Sequence, residues 1–238
     1  MNEPTHGESA PSCAAPHDEV ELPAFDVPYG AVDTHAHVIS GDSAYPMVAA
    51  AARSYTPPPA TEGKYLAMLD ALHMTYGVLV QISVYGTDNR CMLEVLRRHA
   101  DRLRGVAVVS PDVTDRELET LHEAGVRGLR INVLFGGGIG FAAMETLAQR
   151  IKHLGWHMQF LMDVRHLPEL MPRMASLPVA GVIDHLGHMP VAAGLEDGAL
   201  PRCGALSPIT VTGSNCRAPI ASATAFKPSK TSLLSPGR

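Results

Sequence analysis

The stretch that decides the fold is AVDTHAHV, residues 31–38. Val32, Thr34, Ala36 and Val38 alternate with Asp33, His35 and His37. That is the two-residue period of a strand, in which successive side chains point to opposite faces. On this period Asp33, His35 and His37 share one face, while the apolar set packs outward against helices. A single histidine at a strand end is usually a hydrogen-bonded structural group. A carboxylate and two imidazoles converging on one interior face point instead to ligands or catalysts.

The residues downstream repeat the strand signal at a spacing of roughly 25 residues, with amphipathic helical stretches between. A helix is expected over 61–75, a second strand over 77–83 and a helix over 89–100. A third strand follows at 104–110 and a helix at 115–125, with Thr114 as its N-cap and Gly125 past its end. The fourth strand, VRGLRINV (126–133), leads into a helix at 141–155 and the fifth strand, WHMQFLMD (156–163). A short helix broken by its prolines (166–177) precedes the sixth strand, VAGVIDHLG (179–187). Six consecutive βα units imply parallel strands joined by helical crossovers.

An open doubly wound sheet and a (β/α)8 barrel both satisfy that order. The first turn lacks the G-x-G-x-x-G of a dinucleotide fold, and GGGIG (136–140) has neither its spacing nor its downstream acid, so it reads as a flexible loop. Polar residues at the C-terminal strand ends favour the TIM-barrel type, whose active sites occupy that rim. About fifty residues remain after Gly187, too few for two more complete units, so the expected fold is an incomplete barrel. The division expected is an acidic, proline-rich, disordered lead-in (1–30), a partial barrel (31–200) and an atypical, disordered tail (201–238) such as a shifted reading frame would produce. The tail holds one weak β run, SPITVTG, and the missing strands would leave strands one and six as unpaired edges.

Composition narrows the function classes. With 46% hydrophobic and 18% charged residues and a net charge of −5, the chain is an ordinary globular one with no basic footprint for nucleic acid. It has no apolar run long enough for a membrane span and no secretory signal pattern at its start. Cys13, Cys91, Cys203 and Cys216 lack metal-like spacing and read as free thiols, so a cytoplasmic enzyme is expected.

The same parity test marks other candidates. On strand two, Gln81 and Ser83 share a face opposite Val78, Val80 and Ile82. On strand four, Arg130 and Asn132 oppose Leu129, Ile131 and Val133. An inward arginine is costly unless it meets an anion, either a substrate carboxylate or a neighbouring acid such as Asp33 or Asp163. Gln159, Leu161 and Asp163 share a face of strand five, and His185, alternating with Ile183 and Gly181, should point inward, with His188 on a loop or rim.

D-T-H-A-H (33–37), V-Q-I-S-V-Y-G-T-D-N (80–89), R-G-L-R-I-N (127–132) and D-H-L-G-H (184–188), in this order, resemble the amidohydrolase superfamily. More narrowly they resemble its amidohydrolase-related (family 2) branch, which contains 2-pyrone-4,6-dicarboxylate lactonase and sugar-lactone enzymes. The resemblance implies a hydrolase opening a small carboxylated lactone, with His35, His37 and His185 as catalytic residues that polarise the carbonyl. It implies that Ser83 and Arg130 bind substrate carboxylate, with Tyr55 as a loop contact and Tyr85 at a rim position affecting specificity. Pyrone lactonases carry a second arginine where this chain has Gly136, which shifts expectation toward a different lactone such as an aldarolactone. The superfamily's strand-eight aspartate, its general base, has no match in 190–238, leaving Asp33 or Asp163 as weak substitutes. No required metal is expected; the alternative is one divalent ion, Zn²⁺, on His35, His37 and His185. Two further readings stand beside the lactonase: a metal-dependent amidohydrolase or decarboxylase, and a truncated, catalytically silent ligand-binding paralogue.

Overall fold

The computed structural model describes residues 10–188 and 209–211, and the expected tail otherwise lies outside the described residues. Strands β1 (Val32–Ala36), β2 (Tyr76–Val80), β3 (Leu103–Ala107), β4 (Val126–Asn132), β5 (His157–Leu161), β6 (Gly181–Ile183) and β7 (Ile209–Val211) form one sheet in sequence order. Every neighbouring pair is parallel. Helices α1 (Glu62–Ala71), α2 (Arg90–Arg98), α3 (Asp115–Glu123), α4 (Met144–Ile151) and α5 (Leu167–Ala175) supply the crossovers between β1 and β6. This is the incomplete (β/α) barrel expected, with one strand more than the sequence suggested. The weak run in the tail pairs Ile209, Thr210 and Val211 with Gly181, Val182 and Ile183, so β6 is not an edge.

Local signals account for most boundaries. The Thr114 hydroxyl accepts from Glu117 N at 3.2 Å and the Glu117 carboxylate accepts from Thr114 N at 2.7 Å, a reciprocal cap that starts α3. Helix α1 stops at Ala71, short of the expected 75, because His73 adopts a left-handed backbone with φ 54°. Strand β2 ends at Val80 and Ser83–Tyr85 turn as a 3-10 helix. Helix α5 is continuous despite its prolines: Pro168 falls in the first turn, where its missing N–H has no partner to lose, and only Pro172 lies inside.

The core lies between sheet and helices. Leu79, Leu129, Ile131, Met158, Phe160 and Ile183 project from the strands onto Leu69, Leu96, Leu118, Leu147 and Leu167, all fully buried. The opposite face of the sheet, the barrel interior, carries the polar side chains Arg130, Asn132, Gln159 and Asp184, each at most 4% exposed. At its lower end the His157 ring fills the space beside Gly128, where a Cβ would come within 2.6 Å of it.

The lead-in is irregular and largely exposed across its described part, but it is tied down. Thr56 N donates to Pro11 O at 2.7 Å, Cys13 N donates to Thr56 O at 3.3 Å, and Thr56 Oγ1 donates to Ala10 O at 3.1 Å. Lys64 also meets Asp18 at 2.6 Å. Residues 10–13 thus form a strap along the loop that carries Tyr55.

Candidate active site

The first strand holds its two histidines inward by a device that alternation alone does not reveal. Asp33 pairs with Gly77 and Ala36 with Leu79, so three steps on β1 match two on β2. This bulge reverses parity between Asp33 and His35. Asp33 therefore faces outward, where it accepts a 2.9 Å hydrogen bond from the Tyr65 hydroxyl of α1. It does not share the face of His35 and His37 and is no candidate base. The neighbouring Gly77 must lack a side chain, since a Cβ there would lie 2.2 Å from that hydroxyl.

His37 Nδ1 lies 2.7 Å from the Val80 carbonyl, which can only accept. Nδ1 therefore carries the proton, and in the neutral ring Nε2 is left as an acceptor. Burial, reinforced by the neighbouring His35 and the Arg130 charge, pushes His37 down to about 3, so the ring is neutral at physiological pH. The His35 ring stands 5.0 Å from that of His37 and 4.6 Å from that of His185. Its Nδ1 sits 3.4 Å from Asp184 Oδ1 and 3.3 Å from Gln159 Nε2, while its buried Nε2 has no hydrogen-bond partner among the described residues.

Asp184 is the residue that sequence reasoning missed, and it is the hub. Fully buried, it accepts from Gln159 Nε2 at 2.7 Å and from Arg130 Nε and Nη2 at 3.2 and 3.0 Å. Burial alone would raise its carboxyl; the His35 hydrogen bond and the Arg130 charge outweigh that and hold it below the usual carboxylate range. Arg130 Nη1 also donates to the Gln81 carbonyl at 3.3 Å. Its neutralising acid is thus Asp184, not Asp33 or Asp163. Asp163 is committed to Arg165, whose guanidinium holds its carboxyl at about 2 and leaves it a very weak base.

His185 reaches the cluster by a different route from the one alternation suggests. Gly181 and Ile183 pair with Met158 and Phe160, which face the helices, so β6 parity turns Asp184 inward. The strand then ends, and His185, Leu186 and His188 take left-handed backbone angles of 49°, 52° and 50° in φ. That turn returns His185 to His35 and places the His188 ring 5.3 Å from His185 and 6.1 Å from Phe135. Burial, aided by nearby His35, lowers the His185 imidazole.

On the other side, the Tyr55 hydroxyl and Ser83 Oγ lie 3.1 Å apart, and the Tyr55 ring stands edge-on to Phe135 at 5.7 Å. The structure thus brings together Tyr55 and Ser83 and, separately, His35, His37, Arg130 and His185. Tyr85 is not at the rim: it is 3% exposed within the hydrophobic core, where burial pushes its phenol up. Gln81 spends its amide on the Gly86 and Asp88 carbonyls and anchors the loop. The glycine loop after β4 is packed, not free: Cβ atoms would lie 2.5 Å from Ala52 O at Gly136 and 2.3 Å from Ser83 O at Gly137. No side chain, arginine included, fits at 136 without moving backbone.

Among the described residues no three His, Cys, Asp or Glu side chains converge on a point that an ion could occupy. Asp184 is already neutralised by a buried guanidinium, whose charge would oppose a second cation in the cluster.

Comparison with known proteins follows these lines. Residues 32–210 match the model of the amidohydrolase family Amidohydro_2. The chain is 37% identical over 177 residues to 2-pyrone-4,6-dicarboxylate hydrolase of Comamonas testosteroni, covering 73% of this chain and 57% of that protein. It is 28% identical over 192 residues to 4-sulfomuconolactone hydrolase of Hydrogenophaga intermedia, covering 79% and 63%. Among solved structures, a probable 2-pyrone-4,6-dicarboxylic acid hydrolase from Acinetobacter baumannii with citric acid bound superposes with a TM-score of 0.67 at 29% identity, over 76% of this chain and 69% of that one. The chain therefore spans less than two thirds of the length of these two curated relatives.

Proposed function

The chain belongs to the Amidohydro_2 family of amidohydrolases, and from that premise we propose that it hydrolyses the ester bond of a small carboxylated lactone without a resident metal. The observation that carries the reading is the Asp184–His35 pair, an imidazole oriented by a buried carboxylate with its far nitrogen unspent. In this reading the Asp184 carboxylate holds the proton on His35 Nδ1, so Nε2 accepts a proton from water as that water attacks the lactone carbonyl. The C–O bond of the ring breaks, the imidazolium returns the proton to the leaving alkoxide, and a hydroxy acid departs. Three of the five N–H donors of Arg130 are spent on Asp184 and Gln81, leaving two for the developing oxyanion or a substrate carboxylate. His37, an acceptor at Nε2, and neutral His185 shape the site around the carbonyl. Tyr55 and Ser83 hold the far side of the substrate. The relatives act on lactones by their names, which supports the substrate class. Cys13 and Cys91 are unpaired among the described residues, in keeping with a reducing, cytoplasmic setting as part of this reading.

The test is proton release from a panel of carboxylated lactones, with and without chelator. Turnover that persists in chelator and falls by about 10²–10⁴-fold in His35→Asn supports the proposal. Activity that collapses with chelator and returns with zinc overturns the metal-free part. A chain that melts cooperatively yet opens no lactone overturns the hydrolase reading and leaves a silent binding protein.

A further inference from the structure

The interior face of β4 holds a second unspent donor, one that the reaction above does not use. Asn132 follows Arg130 by two residues on the same face, one step nearer the C-terminal end of the strand, and is 4% exposed. Its Oδ1 accepts from Leu134 N at 3.1 Å and Phe135 N at 3.0 Å. Two backbone donors on one oxygen fix which way the amide faces, so Nδ2 cannot exchange places with it. Nδ2 is buried and donates to no described residue. A buried amide left unpaired costs about 1–3 kcal/mol, so such a group calls for a partner beyond the described residues. Gly138 seals the other side: a Cβ there would lie 2.6 Å from the Asn132 backbone oxygen, and the absence of a side chain lets the loop close down on the amide.

Charge says what that partner is. Arg130 is neutralised by Asp184, His37 is held neutral, and Tyr55 and Ser83 contribute hydroxyls. The described site can compensate one carboxylate through the spare donors of Arg130, but a second would be desolvated without a cation. We propose that Asn132 is a specificity residue whose Nδ2 donates to a neutral oxygen, a ring hydroxyl, of a monocarboxylated lactone. This deepens the lactonase reading and rests on it. A site built to hydrogen-bond a hydroxyl discriminates strongly against the analogue that lacks it, because the buried donor is then left unpaired.

Two probes separate the possibilities: 5-oxotetrahydrofuran-2-carboxylate, a monocarboxylated γ-lactone, and the same molecule bearing one ring hydroxyl. Binding of each to the full chain is measured by calorimetry, beside hydrolysis. Wild type is expected to bind the hydroxylated lactone about 10-fold or more tightly than the plain one, and a dicarboxylated analogue more weakly than either. Asn132→Asp keeps Oδ1 on Leu134 and Phe135 but removes the donor, and is expected to bring the hydroxyl preference to about 1. Asn132→Ser supplies a shorter neutral donor and controls for the added charge. Equal binding of the two lactones by wild type, binding of neither, or an unchanged preference in a folded Asn132→Asp chain would overturn the assignment. Hydroxyl-dependent binding without hydrolysis would remove the hydrolase reading while leaving Asn132 in place.

Discussion

Asp184→Asn probes the part of the site that no other described residue can replace. The substitution preserves shape and removes one charge. Asp184 accepts from Gln159, from two nitrogens of Arg130 and from the His35 side, so an amide NH₂ in either orientation must face a donor. Arg130, 3% exposed, would be left as an uncompensated buried cation. Breaking a buried pair from one side costs about 3–5 kcal/mol. At about 2–4 °C per kcal/mol for a domain of this size, the midpoint should fall by about 6–20 °C. The assay is thermal and urea unfolding followed by circular dichroism at pH 7. The sign with pH is fixed by the lowered carboxyl of Asp184. Its contribution is fully present above the unfolded carboxylate value near 4 and is lost as pH falls through the lower folded value, so the gap between wild type and variant should close in acid. The double variant Arg130→Met, Asp184→Leu should recover at least half of the loss, because it removes both charges together. A loss below about 1 kcal/mol in the single variant, or a double variant no better than the single, would refute the reasoning.

Other outcomes follow from single contacts. His37→Gln should flatten the stability curve between about pH 3 and 6.5: the unfolded histidine binds a proton there and the folded one does not, a slope of up to about 1.4 kcal/mol per pH unit in denaturant titrations. Tyr65→Phe should cost about 1 kcal/mol by loss of the bond to Asp33. Gly77→Ala should cost about 1–3 kcal/mol by driving that ring away. Both should leave kcat untouched, and a matching fall in kcat would place Asp33 in the chemistry after all. Gly136→Arg should destabilise the chain and fail to improve binding of a dicarboxylated lactone in calorimetry, since Ala52 O occupies the path of any side chain.

The sheet and its crossovers were legible because the signal was repeated. Parity succeeded for Arg130 and Asn132, where β4 keeps an unbroken register with β5 from Gly128 to Asn132. It failed where the backbone leaves strand geometry. The bulge between Asp33 and Ala36 has no residue signature in VDTHA, and it sent Asp33 outward. Past Ile183 the left-handed run at 185–188, mostly non-glycine, delivered His185 inward by a turn, so the placement was right and its reason was not. The same misreading hid Asp184. The clue was present, since an inward Arg130 requires a buried acid, and Asp184 precedes the histidine already singled out. β7 showed only as the weak run SPITVTG and was not counted as a barrel strand, because three residues in a proline- and serine-rich stretch carry little strand signal until β6 is there to pair with them.

The strap at residues 10–13 makes the amino terminus part of the machinery of a loop more than forty positions away. Thr56 is gripped through its N–H, its carbonyl and its hydroxyl, and Ser54 is held from the other side by Gly136 N at 3.0 Å. Tyr55, between them, cannot lift from Ser83 unless one of these seams opens. A tag, a processing cut or an alternative start near residue 10 therefore edits the loop that carries Tyr55 as surely as a substitution within it. Kinetic comparisons among variants hold only between proteins that share the same amino-terminal boundary.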